Sequence, residues 1–328
     1  MKQYSIIIPH YNVPDLLRRC LDSIPDRNDI EVMIIDDNSD PSIVDFVSFP
    51  GLNRSNIRCI FLDEHKGAGY ARNKGIEEAN GKWILFVDAD DFLLPNAFES
   101  IDQYVDKDFD VVLFKARSSL SSDISKVGKR THATHLNTLI DECLNEEIPP
   151  QEVLFRILSP WCKLVKRKFL IDNAVFFDLT KLGGEDVIWS TKLAICSNRI
   201  ELSKSYIYNL TERDGSLTDN VTVESFKNAC DVFLRRNDML NEHGYIQYKS
   251  FIPYAELIKL VQLSRVTYIK YIFRTIYHKL LEEKPLYRFE IFMGFKYSYI
   301  YLLMALLNFP TIKKIFKVGS INWLCLIF

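Results

Sequence analysis

The chain has 328 residues, 48% of them hydrophobic and 26% charged, which is ordinary globular composition and excludes a disordered, collagen-like or multi-span membrane chain. A formal net charge of −2 and a pI near 6.3 exclude a globally basic nucleic-acid binder. The length suggests about two domains, or one large domain with an extension.

The first 115 residues alternate short apolar runs with helical patterns. Runs at 5–9, 31–35, 58–62, 83–87 and 111–114 read as strands. Helices are expected from Pro14 to about 24, over 71–79 and over 95–105, with Pro14 and Asp15 suited to a first turn. This repetition predicts an α/β fold: a mostly parallel central sheet, Rossmann-like, covered by helices on both faces. Residues 115–215 are less regular. They hold a Ser-rich polar stretch over 118–125, Pro149-Pro150, a buried-looking segment over 161–169, and a strand over 205–209. Helices are expected over 224–242, 254–283 and 289–307. A boundary near residue 220 separates a 1–220 domain from a helical 221–328 region. The first divides again, into 1–115 and 116–220.

Charge is unevenly spread. Residues 250–328 hold 11 Lys/Arg against 4 Asp/Glu, and 17 of the chain's aromatics. That end reads as basic and surface-seeking. The seven cysteines form no C-x-x-C pair, so neither a disulfide framework nor a zinc ribbon is indicated. His132 and His135 are the one histidine pair with metal-ligand spacing, and their polar surroundings predict a loop. The start of the chain shows no signal-peptide pattern. The longest uncharged stretch, 297–312, is 16 residues, short of the roughly 20 a spanning helix needs. A cytoplasmic protein is expected. Its last residues, from about 286, are expected to touch the inner membrane face without crossing it.

In an open parallel sheet, ligands bind beyond the carboxyl ends of the strands. Those ends read Pro9-His10-Tyr11-Asn12, Asp36-Asp37-Asn38-Ser39 and Asp88-Ala89-Asp90-Asp91. Asp and Asn also cap turns and helices after strands, but three such ends together point to a site. Adjacent carboxylates repel unless a cation compensates them. Oxygen ligands suit Mg2+ or Mn2+, held by one or two carboxylates plus substrate phosphates. The cluster after 83–87 therefore reads as metal plus diphosphate.

These residues carry a resemblance. The segments from Ser5 to Asn12, Ile35 to Ser39, Gly67 to Asn73 and Phe86 to Asp91 resemble family-2 glycosyltransferases with the A-type nucleotide-sugar fold. Gly184-Glu185-Asp186-Val187, with Trp189, resembles the family's later Glu-Asp acceptor motif. The match is dense over 4–110, sparse over 155–215 and absent from the last 110 residues.

The resemblance implies roles, with 1–115 as the nucleotide-sugar side and 116–220 as the acceptor side. Pro9 and Tyr11 would line the base pocket, Tyr11 stacking on uracil. Asp37, or Asp36 beside it, would accept from the uracil N3–H. Arg72 would lie near the diphosphate. Asp88 would contact the ribose and Asp90 would ligate the metal, with Asp88 beside it. Asp91 is equally placed as a helix cap. Asp186 would be the base that takes the acceptor proton, with Glu185 orienting it or the acceptor. The run from Asn209 to Ser216 resembles a closing loop. It departs from the usual pattern of a basic residue directly after the strand, so Arg213 and Ser216 are the groups expected to reach phosphate.

The expected activity is inverting, metal-dependent transfer of a hexose or N-acetylhexosamine from a UDP-sugar. The acceptor would be a surface or capsular polysaccharide or its lipid-linked oligosaccharide precursor. A nucleotidyltransferase would want a Gly-rich loop after the first strand. A processive synthase would need spanning helices. A non-catalytic nucleotide-sugar sensor or scaffold, the reading from a different class, would be expected to lose carboxylates that are here present.

Overall fold

A computed structural model describes residues 2–128, 131–180, 183–213 and 222–249. The predicted helices over 254–283 and 289–307, the membrane-facing end and Ser216 lie outside them. Of the described residues, those up to 213 and from 228 to 249 belong to one compact unit, and 222–227 to a second.

Strands β1 (Tyr4–His10), β2 (Ile30–Asp36), β3 (Ile57–Phe61) and β4 (Trp83–Phe86) form a parallel group in the order β3-β2-β1-β4. Ile6, Ile7 and Ile8 of β1 are all fully buried. A strand buried on both faces is the expected centre of a covered sheet, and each such isoleucine is worth about 1.5–3 kcal/mol. Helix α1 (Pro14–Asp22) starts with its proline in the first turn and buries Leu17, Cys20 and Leu21. Helix α2 (Ala68–Glu78) lies against β1, and a Cβ on Gly75 would come within 2.4 Å of Ile7. The helix therefore approaches the sheet at backbone distance there.

The short strand β5 (Phe92–Leu93) and helix α3 (Ala97–Ile101) follow. Helix α3 continues as a single 3-10 turn, so the expected 95–105 helix forms in two pieces. Strand β6 (Val111–Leu120) runs on past its predicted end and pairs with β7 (Asp123–Val127). The Ser-rich stretch is therefore strand and hairpin. Helix α4 (Thr131–Leu144) carries both His132 and His135, correcting the loop expectation. Ala133, Leu136, Leu139, Ile140 and Cys143 give that helix its buried stripe. Helix α5 (Pro150–Arg156), strand β8 (Lys163–Lys166) and helix α6 (Arg167–Asp172) come next. Helix α7 (Glu185–Cys196), strand β9 (Ile200–Glu212) and helix α8 (Val223–Glu242) complete the described elements.

The full sheet order is β3-β2-β1-β4-β8-β6-β9-β5, with β7 beside β6. The α/β expectation holds, but the sheet is mixed. Strand β8 runs antiparallel to both β4 and β6, and β5 antiparallel to β9, while β6 and β9 are parallel. Strand direction reverses at β8 because the chain returns there through α4 and α5. The first strand has β2 on one side and β4 on the other, so the order switches at β1. That crevice is where an open α/β sheet takes its ligand.

Candidate active site

The carboxyl end of β1 is locked to that of β2. His10 Nδ1 lies 2.6 Å from Asp36 Oδ1, while His10 Nε2 accepts from the Val13 amide at 3.3 Å. This pattern assigns a neutral imidazole with its proton on Nδ1. Ser39 donates to the same carboxylate through Oγ at 2.6 Å and its amide at 3.0 Å. Burial pushes Asp36 upward, but the bonds from His10 and Ser39 outweigh it and hold the carboxyl below its ordinary value.

Asp37 is buried next to it and braces a different segment. Its oxygens accept from the Lys66 and Gly67 amides, each at 2.7 Å, and His65 Nδ1 lies 2.8 Å away. The His65 ring is 4.5 Å from that of Tyr11, which is 45% exposed. Both aspartates proposed for base contact thus have internal partners. Tyr11 is the exposed flat ring at this end, next to the half-buried Pro9.

Beyond β4, three aspartates separate into three settings. Asp88 accepts from Arg72 Nη2 at 2.8 Å. Asp90 accepts from Arg213 Nε at 2.7 Å, and its backbone carbonyl accepts from Arg19 at 2.6 Å. Asp91 is buried and accepts from Tyr208 Oη at 2.9 Å and the Thr211 amide at 2.7 Å. Burial first, then the neighbouring Asp90 and Asp88, push Asp91 well above the usual carboxylate range. Asp91 is therefore a tie between the β4 end and β9 rather than a helix cap.

Arg72 is the hub. Besides Asp88, it donates to Glu185 Oε1 at 3.1 Å, and its guanidinium lies 5.2 Å from the Phe177 ring. Burial works against its charge, but Asp88 and Glu185 outweigh it and keep the group firmly protonated. The close approach that permits this begins at Gly69. A Cβ there would sit 2.5 Å from the Asp178 carbonyl and 2.9 Å from Glu185.

Glu185 and Asp186 open helix α7 directly after Gly183 and Gly184, both at positive φ (85° and 87°). Glycine adopts that backbone without strain, so the helix can start abruptly with two acids in its first turn. Burial pushes Asp186 up to about 7; Glu185 adds to the rise and Arg72 opposes it. A carboxyl with a pKa near neutrality is suited to move a proton at physiological pH.

Sequence reasoning passed over Lys163. It is fully buried on β8, donates to the Ile157 carbonyl at 2.9 Å and to that of Ser159, and lies 5.8 Å from the Trp189 ring. Burial pulls it down to about 7, while Asp186 works to keep it charged. Its only signal was its place in the buried-looking 161–169 segment, which it shares with three other basic residues. Arg72, Asp88, Glu185 and Asp186 form one charge network. Asp90 with Arg213, and Tyr11 with His65, stand as separate groups.

Asp88 and Asp90, the acids expected to hold a metal, each face an arginine. Among the described residues no group of three His, Cys, Asp or Glu side chains is placed to hold an ion. The donor set therefore suits Mg2+ or Mn2+ only if substrate phosphates supply further oxygens.

The protein-family model described as glycosyl transferase family 2 matches residues 5–170. Glycosyltransferase GlyA of Streptococcus pneumoniae serotype 4 is 26% identical over 266 residues, covering 78% of this chain and 37% of that protein. Succinoglycan biosynthesis protein ExoO of Rhizobium meliloti is 26% identical, covering 79% of this chain and 78% of its own length. The chain thus spans well under half of the first of these relatives and most of the second. The crystal structure of S. aureus TarS 1-349 in complex with UDP-GlcNAc superposes with a TM-score of 0.58 at 20% identity, covering 84% of this chain and 80% of that one. That likeness is one of fold. With the family model spanning half of the sequence and every strand of the β1–β4 crevice, the chain belongs to glycosyl transferase family 2.

Proposed function

We propose that the chain transfers a hexose or N-acetylhexosamine from a UDP-sugar to a saccharide acceptor, with inversion at the anomeric carbon. The observation that carries this reading is Asp186. It is poised near pH 7 at the start of α7 and coupled through Glu185 and Arg72 to Asp88 at the strand end. The TarS structure that shares this fold holds UDP-GlcNAc, which favours a UDP-sugar donor. ExoO's assignment to succinoglycan biosynthesis favours a polysaccharide, or its lipid-linked precursor, as acceptor.

In this reading Tyr11 stacks on the base beside Pro9, with Asp37 and the loop it braces at the pocket edge. Asp36 acts by holding His10 and Ser39. Asp88 meets the ribose, and Arg72 and Arg213 supply positive charge for the diphosphate. Mg2+ or Mn2+ held by Asp88 and Asp90 would neutralise charge on the departing diphosphate. Asp186 takes the proton from the acceptor hydroxyl as that oxygen attacks the anomeric carbon. The attack comes from the face opposite the leaving UDP, so no covalent intermediate forms. Glu185 orients Asp186 through Arg72. A sensor or scaffold would have no use for a base poised at neutrality.

A donor-hydrolysis screen across a panel of nucleotide sugars tests the reading. Turnover of one UDP-sugar, accelerated by a saccharide acceptor, is expected. Binding of nucleotide sugars with no turnover of any would overturn it.

A further inference from the structure

A cavity of about 630 Å³ opens away from the strand ends, among α4, α5, α8 and the turn after α8. Its wall includes His135, Glu152, Phe155, Arg156, Arg236 and Lys249. Its size falls in the range of small-molecule sites.

The charge in this wall is lopsided. Arg156, Arg236 and Lys249 stand against a single carboxylate, Glu152, which is spent on Arg156 at 3.2 Å. Among the described residues, the Lys249 ammonium bonds the neutral Asn241 side chain, at 3.2 Å. Arg236 is the anomaly. It is 3% exposed, and its Nη atoms donate to the Tyr248 carbonyl at 2.7 Å and the Phe155 carbonyl at 3.1 Å. Among the described residues its Nε is buried with no partner and no carboxylate offsets its charge. Burial alone pulls the guanidinium down to about 10. An uncompensated buried cation is costly, and an unmade hydrogen bond on it adds to that cost. An anion in the cavity would offset that charge.

The other half of the wall is aromatic. Phe155 stacks on Tyr248, with centroids 4.4 Å apart and planes at 16°, and Phe233 and Leu158 complete the apolar side. Leu158 and Phe233 also pack with Val187 and Ile188 of α7, so the cavity shares a wall with the helix that Asp186 begins.

We propose that this cavity is a second binding site, separate from the donor crevice, for a phosphate group carried on a small polyol or sugar. Phosphate matches the donor fork of a guanidinium, and the half-buried Tyr248 ring, backed by Phe155, is an apolar surface for the carbon skeleton. The site does not depend on the donor reading, because none of its residues belongs to the crevice.

The test is calorimetric titration of the full chain with inorganic phosphate and with glycerol 3-phosphate, in excess UDP to block the crevice. Saturable binding is expected for both probes, tighter for glycerol 3-phosphate. Removing one charge-assisted donor should weaken it by about tenfold, so Lys249→Gln and Arg156→Gln should each reduce affinity on that scale. Arg236→Gln should abolish it. If Arg236→Gln does not fold, the Arg156→Gln/Lys249→Gln pair, on the rim, carries the test. Arg213→Ala should leave this binding unchanged. Binding to phosphatidylglycerol vesicles but to neither soluble probe, lost in the rim pair, would place the phosphate on a lipid head group instead. No binding to any probe under UDP, or binding unchanged in the rim pair, would overturn the proposal.

Discussion

Arg72 donates to Asp88 at 2.8 Å and to Glu185 at 3.1 Å with the two arms of one guanidinium. A residue of α2 thereby joins the end of β4 to the first residue of α7. The proposed donor side and the proposed base are thus held in register by a single side chain that is itself buried.

Replacing Arg72 with methionine should therefore do two things. It leaves Asp88 and Glu185 without their shared partner, which costs activity. It also removes the positive charge that holds Asp186 down. The acid limb of the rate profile should then move above pH 7. An Arg72→Met enzyme whose acid limb stays where the wild type has it would disconnect Arg72 from the base.

The proposed metal requirement rests on Asp88 and Asp90. Asp90 pairs with Arg213 at 2.7 Å, so cation and arginine would compete for one carboxylate. Turnover should need Mg2+ or Mn2+ and fall away in excess chelator. Asp90→Ala should lose metal-dependent donor binding, whereas Arg213→Ala should lower the metal concentration needed for half-maximal rate. Full turnover in chelator would reassign the pair to Arg213 and Arg72 alone.

Much of this site is readable from local sequence, and the limits are physical. The isoleucines of β1 announce a buried strand. The acids after β4 announce a ligand edge, because a tripeptide motif is local. What Asp91 does is not local: its partners, Tyr208 and Thr211, lie on β9. The direction of β8 was hidden for a similar reason, since Lys163–Lys166 is a four-residue strand whose pairing depends on where α4 and α5 return the chain. His132 and His135 looked like loop residues because their neighbours are polar. The stripe of Ala133, Leu136, Leu139 and Ile140 that makes the helix needs a longer window to be seen.

Lys163 gives a stability prediction with a definite sign. Its folded pKa, about 7, lies below its ordinary value of 10.5. Between those values the unfolded chain holds a proton that the folded chain has released, so wild-type stability rises with pH there. Below 7 both states are protonated and the full cost of the buried charge is present. Lys163→Met removes that cost but also strips the Ile157 and Ser159 carbonyls of their donor. Its melting temperature relative to wild type should be most favourable at pH 6 and fall steadily toward pH 10. A difference that does not change with pH would mean that the lysine is not titrating in the fold.

The base itself is the sharpest test. Asp186→Asn keeps the shape of the side chain and removes its basicity. General bases contribute about 10²–10⁴-fold, so transfer should slow by at least about 100-fold on that scale. Donor affinity should change by less than about tenfold, or 1.4 kcal/mol, because the proposal gives base stacking, ribose contact and diphosphate charge to Tyr11, Asp88 and the arginines. In the wild type, the folded carboxyl near 7 must lose its proton to work. The rate of transfer from donor to acceptor should therefore climb as pH rises through about 7 and level off above it. In Asp186→Asn that limb should vanish along with the rate. Calorimetry with UDP beside transfer assays from pH 5.5 to 8.5 separates the two effects. If the asparagine variant transfers sugar within a few-fold of wild type and keeps the acid limb, the proton goes elsewhere. Glu185, one residue earlier and bonded to Arg72, is then the group to replace next.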